Sequence, residues 1–448
     1  MSHLPLGPRA PKLLTTHRLL AEPSKYMTQW RDRFGDPFTA SAVNGTVVVT
    51  GRPDLIEAMF RADARDYDPF AAEAVAPLVG ERSLFTLRGE AHRRERKLVM
   101  PPFHGARMRA YADTMAEAAT VGFAPLADGT THRMQDAMQA ISLDVILRAV
   151  FGLEDDDGPD DYGEAIVGLI ESAHPALIFM PFLQVELGGW GPWARFRRRF
   201  DRVDAQLDAQ LARRREAPGD DILSMLLGAR YEDGAAMSDT QIKDELRTMV
   251  VAGHETTALA LSWAVDAVHR HPEVLARLRD EIDALGPDPN PESLARCRYL
   301  DAVIKETLRR YPILTESMRQ LNAPLRWGDH DLPAGVAVAA SIILAHQNPD
   351  HFPAPERFDP DRFVGKNYSP PVYLPFGGGH RRCVGAAFAH IEMKIVLGRL
   401  LADYDVALQA PSAPRPHRRN ITMAPHDGVP VRLTRRRSRA SGRCVSAA

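Results

Sequence analysis

The segment Phe376-Gly377-Gly378-Gly379-His380-Arg381-Arg382-Cys383-Val384-Gly385 ends a glycine-rich loop on one cysteine, with an arginine two positions before it. Val384, Phe388, Ile391 and Ile395 follow at helical spacing, which predicts a helix starting just after the cysteine. A thiolate there would gain from the positive end of the helix dipole and from backbone N–H groups lacking partners within the helix. Consecutive glycines let the loop backbone approach a flat ligand closely, where a Cβ would block it. Such a sulfur is suited to holding a charge or a metal ion. The alternative is a free structural cysteine, among the most buried of residue types.

Further spacings could serve the same chemistry. Ala252-Gly253-His254-Glu255-Thr256-Thr257 falls inside a long helical stretch, Ser238 to His271, where a glycine costs up to about 1 kcal/mol relative to alanine. A helix that accepts this does so for function or for a close crossing. Glu255 and Thr256 are adjacent and point roughly 100° apart, so they share one water chain only if the helix is locally widened or kinked. Glu306 and Arg309 are three apart on one helix face and can pair. His92 and Arg96 are four apart, again on one face, beside Arg93, Arg94 and Lys97.

The cysteine segment resembles the ligand loop of the cytochrome P450 family, Phe-x-x-Gly-x-Arg-x-Cys-x-Gly, filled here by Phe376, Gly379, Arg381, Cys383 and Gly385. The resemblance runs from about Tyr26 to Leu433. It implies a mainly α fold with a small β region, in which haem b sits between two long helices. Cys383 would be the axial thiolate, which pushes electron density onto iron and favours O–O cleavage. Phe376 and Gly385 would shape the haem loop. Arg381, His92, Arg96 and Arg319 would reach the haem propionates, to which a guanidinium offers paired N–H donors. Gly253, Glu255 and Thr256 would form the oxygen groove and proton relay. Glu306 and Arg309 would lock to Arg357, in Pro355-Glu356-Arg357-Phe358, as a buried triad.

The implied activity is a monooxygenase inserting one oxygen atom of dioxygen into a hydrophobic small molecule, such as a fatty acid, terpenoid, steroid or polyketide of secondary metabolism. Electrons would come from a separate ferredoxin or flavodoxin and its NAD(P)H-dependent reductase. Arg93, Arg94 and Lys97 would offer that partner a docking patch; a merely solvated helix face is the alternative. The rival activities are a haem-thiolate peroxygenase or isomerase and a non-catalytic haem sensor. Asp68 to Ser83, His174 to Phe182, Met249 to Ala252, Pro312 to Ser317 and Met423 are candidates to line the substrate pocket.

These side chains need a scaffold, and the 448 residues suffice for a large one. Hydrophobic residues at 45% and charged residues at 25% describe an ordinary globular chain, and a net charge of −2 argues against nucleic acid as partner. Cys297, Cys383 and Cys444 cannot form a disulfide framework, which fits a reducing cytoplasm, and neither Cys297 nor Cys444 has a metal-ligand neighbourhood. No stretch approaches the length of a membrane anchor, and a monomer is expected. Residues 1–25 read as an extended, proline-stiffened lead-in, 26–434 as one catalytic domain, and 435–448 as a disordered tail. Asn44-Gly45 predicts a hairpin between Phe38–Ala42 and Thr46–Val49. Helices are expected over Arg107–Leu126, Met134–Phe151, Pro192–Glu216, Ser238–His271 and Pro272–Leu285. Strands are expected near Val336–Ala340, Asn420–Met423 and Val429–Leu433.

Overall fold

The longest helix, Asp239–Arg270, starts where the sequence supplies a reciprocal cap. Ser238 Oγ accepts from Gln241 N–H at 3.3 Å, and Gln241 Oε1 accepts from Ser238 N–H at 2.9 Å. From Ala258 to Val268 every residue is buried, so this helix is the axis of the main core. It crosses helix Met134–Phe151, and an added Cβ on Gly253 would lie 3.1 Å from Ile146 Cδ1. Helix Ala386–Asp403 also packs against it, as do helices Arg298–Arg310 and Pro272–Asp283.

The structure, a computed structural model, describes residues 4–105, 107–153, 162–173, 177, 183–186 and 188–436. The strands are β1 (Phe38–Ala42), β2 (Gly45–Thr50), β3 (Tyr67–Pro69), β4 (His132–Arg133), β5 (Glu316–Leu321) and β6 (Leu325–Trp327). They continue with β7 (His330–Leu332), β8 (Ala337–Ser341), β9 (Tyr404–Leu408), β10 (Pro416–Arg419), β11 (Thr422–Pro425) and β12 (Pro430–Arg435). The main sheet runs β1-β2-β8-β5-β3. β2 and β8 pair in parallel with Val48 opposite Val338, and both β-branched residues are fully buried. The smaller sheets are β10-β11, β4-β12-β9 and β6-β7. The architecture is mainly α with a small β region, as expected; the expected hairpin forms, but its turn is Val43-Asn44, one residue before the expected Asn44-Gly45, and Gly45 already pairs with Ala42 as the first residue of β2.

The helices expected from periodicity appear with ends moved by a few residues at most. The N-terminal expectation needs correction. Leu4–Pro11 is irregular, but Lys12–Ala21 and Pro23–Phe34 are helices, the second started by a proline at its first position. At the other end β12 runs through Arg435, and Arg436 pairs with Asp283 at 2.9 Å, so order reaches past the expected boundary. The rest of the expected tail, from 437, lies outside the described residues.

Candidate active site

Cys383 stands two residues before Gly385, which caps helix Ala386–Asp403. Its N–H donates to the Phe376 carbonyl at 3.0 Å, closing the loop. Arg96 Nη2 donates to the Arg382 carbonyl at 2.6 Å and ties helix Gly89–Val99 to the same loop. The cysteine is densely surrounded by protein and yet solvent-accessible, a combination that an internal slot produces. Burial pushes its thiol upward, opposed by the Gly385 N–H and by Arg96 and Arg382. The helix terminus therefore does not by itself yield a thiolate. A bound cation would, because coordination deprotonates a thiol outright.

The loop glycines serve a different neighbour from the one the sequence suggests. A Cβ on Gly378 would lie 2.2 Å from the Phe60 ring, and one on Gly379 would lie 2.5 Å from the Phe60 carbonyl oxygen. Gly379 also has φ +64°, where L-residues are strained. The glycines let the loop lie against helix Pro53–Arg61, which fixes where Cys383 stands.

Beside the loop the structure gathers two histidines and two arginines, none of them in an ion pair among the described residues. His92 and His380 meet edge to face with ring centroids 5.9 Å apart. Burial pushes His92 down to about 3, aided by Arg381, His380, Arg96 and Arg319. His380 falls to about 4 through burial and then Arg319 and Arg381. Arg319, buried on β5, and Arg381 are each lowered to about 10, burial leading. Arg381 Nη1 donates to the Leu84 carbonyl at 3.1 Å, but its Nε is buried without a partner, and so is His380 Nε2. Buried nitrogens without partners beside two arginines suit a ligand that brings carboxylates. The sequence reading found His92, Arg319 and Arg381 but missed His380, because a histidine between glycine and arginine carries no distinguishing spacing.

The residues expected over the iron are differently deployed. Thr256 Oγ1 donates to the Ala252 carbonyl at 2.7 Å. Val251, Ala252, Gly253 and Thr256 are only half-buried although they lie mid-helix in the centre of the molecule, so they border internal space. Glu255 turns elsewhere: its Oε1 pairs with Arg419 Nε of β10 at 2.8 Å. Burial raises its carboxyl, opposed by Arg419 and by a hydrogen bond from Thr422. The helix stays α-helical through this stretch, so the widening that would bring Glu255 and Thr256 onto one water chain is absent among the described residues. Gly253 serves the crossing with Ile146.

The triad also needs correction. Glu306 and Arg309 are fully buried and paired, as expected, but the third arginine is Arg362. Arg362 Nε lies 3.5 Å from Glu306 Oε1 and its side chain is buried. Arg357 is exposed and contributes only its carbonyl, which accepts from Arg309 Nη2 at 3.1 Å. The chain holds two Pro-acid-Arg-Phe stretches, Pro355–Phe358 and Pro360–Phe363, and sequence spacing cannot choose between them. The Asp359 N–H, which donates to Glu306 Oε1 at 2.8 Å, sets the register that buries the second.

Arg93, Arg94 and Lys97 are exposed, as expected, but each has an acidic partner: Glu90 at 3.1 Å, Asp233 at 2.6 Å and Glu232 at 2.8 Å. Among the pocket candidates, the Met423 N–H donates to the Ile313 carbonyl at 2.9 Å, so those two segments do meet. Residues 174–176 and 178–182 lie outside the described residues, while Leu177 is buried. Cys297 is buried, its thiol raised to about 11 by burial, and Cys444 lies outside the described residues.

The profile of the family described as Cytochrome P450 matches residues 5–429. "Putative cytochrome P450 135B1" of Mycobacterium tuberculosis is 35% identical over 443 residues, covering 96% of this chain and 91% of the relative. "Putative cytochrome P450 138" of Mycobacterium bovis is 34% identical, covering 97% of each. The solved structure titled "Retinoic acid bound cyanobacterial CYP120A1" superposes with a TM-score of 0.85 at 24% identity, over 97% of this chain and 100% of that one. "Crystal structure of cytochrome P450DA heme domain" gives 0.85 at 24%, over 97% and 98%. At that identity the structures speak for the fold alone. A cysteine loop at a helix start, buried arginines and histidines beside it and a sequence match over nearly the whole length agree: the chain belongs to the cytochrome P450 family.

Proposed function

We propose that this chain is a haem b monooxygenase that hydroxylates or epoxidises a hydrophobic small molecule, with electrons from a separate redox protein. Family membership implies haem and a cysteine thiolate generally. The observation that carries the reading here is the cluster of His92, His380, Arg319 and Arg381, in which Arg381 Nε and His380 Nε2 are buried without partners. Two propionates would supply the missing anions, and Cys383 would be the axial ligand. When bound, the haem supplies one-electron and dioxygen chemistry favoured by the thiolate.

The chain's own residues set the conditions for that chemistry. Arg96 and the Phe376 carbonyl hold the Cys383 loop in place. The apolar helix faces around Met249 and Ile146 keep bulk water away. Thr256 keeps its hydroxyl on Ala252, with its oxygen still able to accept a proton-bearing water. Glu255, held by Arg419 and Thr422, connects the helix to the half-exposed hairpin β10-β11, a route by which protons reach the interior. Electron delivery is assigned to a ferredoxin or flavodoxin. Because Arg94 and Lys97 are paired internally, a partner must compete with Asp233 and Glu232 for them.

The reading is tested on purified protein. A carbon-monoxide complex of the reduced form with the thiolate-type red shift, lost in Cys383→Ser, is expected. Product carrying one atom of labelled dioxygen, formed only with NAD(P)H and a redox pair, completes the case. Equal turnover on hydrogen peroxide alone would instead support the peroxygenase reading.

A further inference from the structure

Two opposite charges at the start of β5 stand close together without pairing. Glu316 opens the strand, and the buried Thr315 before it accepts from Arg418 Nη2 of β10 at 3.2 Å. The Thr315 hydroxyl in turn bonds the Glu316 carboxylate. Arg418 and Glu316 therefore share one hydroxyl, yet they form no ion pair, and Glu316 Oε2 and Arg418 Nε are both buried without a partner. Burial raises the Glu316 carboxyl, opposed by Thr315 and Arg418, and lowers Arg418, opposed by Glu316. A carboxylate and a guanidinium buried this close ordinarily meet directly, because each left without a partner costs desolvation.

The surroundings are apolar and only half covered. Side chains alternate along β5, so Ser317 and Arg319 share one face and Glu316 and Met318 the other. Ser317 turns to the cysteine loop: a Cβ on Gly377 would lie 3.5 Å from its Oγ, and Arg319 Nη1 donates to that Oγ at 3.3 Å. Met318 packs instead on a core cluster that also carries the half-buried Leu19, Tyr26 and Phe70. Arg418 Nη2 reaches the Leu19 carbonyl at 3.4 Å, so the guanidinium stands beside that cluster. Leu314 is 36% exposed between the buried Ile313 and Thr315. Glu316 is densely surrounded by protein and still accessible, the combination found at Cys383. The β10-β11 hairpin ties this corner to the central helix, because the Met423 carbonyl accepts from Trp263 Nε1 at 3.1 Å.

Hydrogen-bond chemistry selects the occupant of such a corner. An ammonium would be repelled by Arg418 and a carboxylate by Glu316. A ketone or ether can accept from Arg418 Nε but leaves Glu316 Oε2 without a donor. A hydroxyl satisfies both, donating to the carboxylate and accepting from the guanidinium. We propose that Glu316 and Arg418 bind a hydroxyl group of the substrate, which makes the substrate a hydrophobic alcohol. The proposal deepens the monooxygenase reading and rests on it.

The test titrates holoprotein with N-alkylimidazoles of increasing tail length, each made with a methyl end and with a hydroxyl end. The ring nitrogen ligates haem iron and shifts its absorption band, while the tail extends into the pocket. Transfer from water alone favours the methyl end at every length. At a tail length that reaches Glu316 the order should reverse, with the hydroxyl end bound about tenfold more tightly. Glu316→Leu and Arg418→Met should each erase that reversal, with melting temperatures checking that they fold. The comparison of the two tails in the parent decides the matter even if a variant does not fold. No reversal at any length overturns the proposal and leaves the two residues a structural pair. A reversal that survives in both variants also overturns it. If unsubstituted imidazole gives no shift, the haem reading itself has failed and the proposal falls with it.

Discussion

Arg309 grips Glu306 with two parallel hydrogen bonds, Nε to Oε2 at 2.7 Å and Nη2 to Oε1 at 2.8 Å, and neither side chain is exposed. Burial raises the Glu306 carboxyl and Arg309 draws it back, so the pair is worth keeping only whole. Arg309 also donates to the His346 carbonyl at 2.9 Å, joining its helix to the segment that leads into the cysteine loop. Glu306→Ala leaves that guanidinium buried and uncompensated. A loss on the order of 3–5 kcal/mol is expected, seen as a lower urea midpoint and as failure to retain haem. Normal holoprotein from this variant would remove the structural role.

Arg362 and Arg357 should behave oppositely. Arg362→Ala deletes a buried cation beside Glu306 and should cost about 1–3 kcal/mol. Arg357→Ala removes an exposed side chain from a residue that joins the network through its backbone carbonyl, and should stay within about 0.5 kcal/mol. Urea titrations of the two variants settle which arginine completes the triad.

Stability should fall on acidification through His346. It accepts from the Leu374 N–H at Nε2 (3.0 Å), lies 3.3 Å from the Arg309 carbonyl at Nδ1, and stacks on Tyr373. Burial, aided by Arg309, pushes it down to about 3 from the usual 6.5. Between those values the unfolded chain binds a proton that the folded chain refuses. The contribution is therefore complete above about pH 6.5 and drains as pH falls, by at most ~1.4 kcal/mol per pH unit. Unfolding free energies at about pH 7 and about pH 5 should differ less in His346→Gln than in the parent. Equal differences would refute the assignment.

Gly378 and Gly379 should respond differently to relief at Phe60. The Gly378 Cβ would strike the ring, whereas the Gly379 Cβ would strike the backbone carbonyl. Phe60→Ala should therefore rescue haem binding in Gly378→Ala but leave Gly379→Ala defective, since its φ of +64° adds about 1–2 kcal/mol of strain. Rescue of both would mean that the helix backbone yields.

Arg419→Ala removes the counter-ion of Glu255. Burial then acts on the carboxyl with less opposition and holds the proton to higher pH. Under the proposed activity, the pH profile of coupled product formation should move upward while the carbon-monoxide spectrum stays that of the parent. An unmoved profile would take Glu255 out of the proton route.

Much of this site was readable in one dimension because its key signals are local. A cysteine, its preceding arginine and glycine, and the apolar period that follows lie within a few turns of chain, and each acts through backbone geometry shared by any chain with that pattern. Ser238 with Gln241, Asn44-Gly45 and the period of Met134–Phe151 marked their elements for the same reason. Tertiary structure decided which distant group each side chain meets. Glu255 turned to Arg419, the loop glycines to Phe60, Glu306 to Arg362, and His380 joined His92. Such pairings are set by which surfaces pack together across hundreds of residues, and burial alone makes an unpartnered charge too costly to leave where spacing would put it.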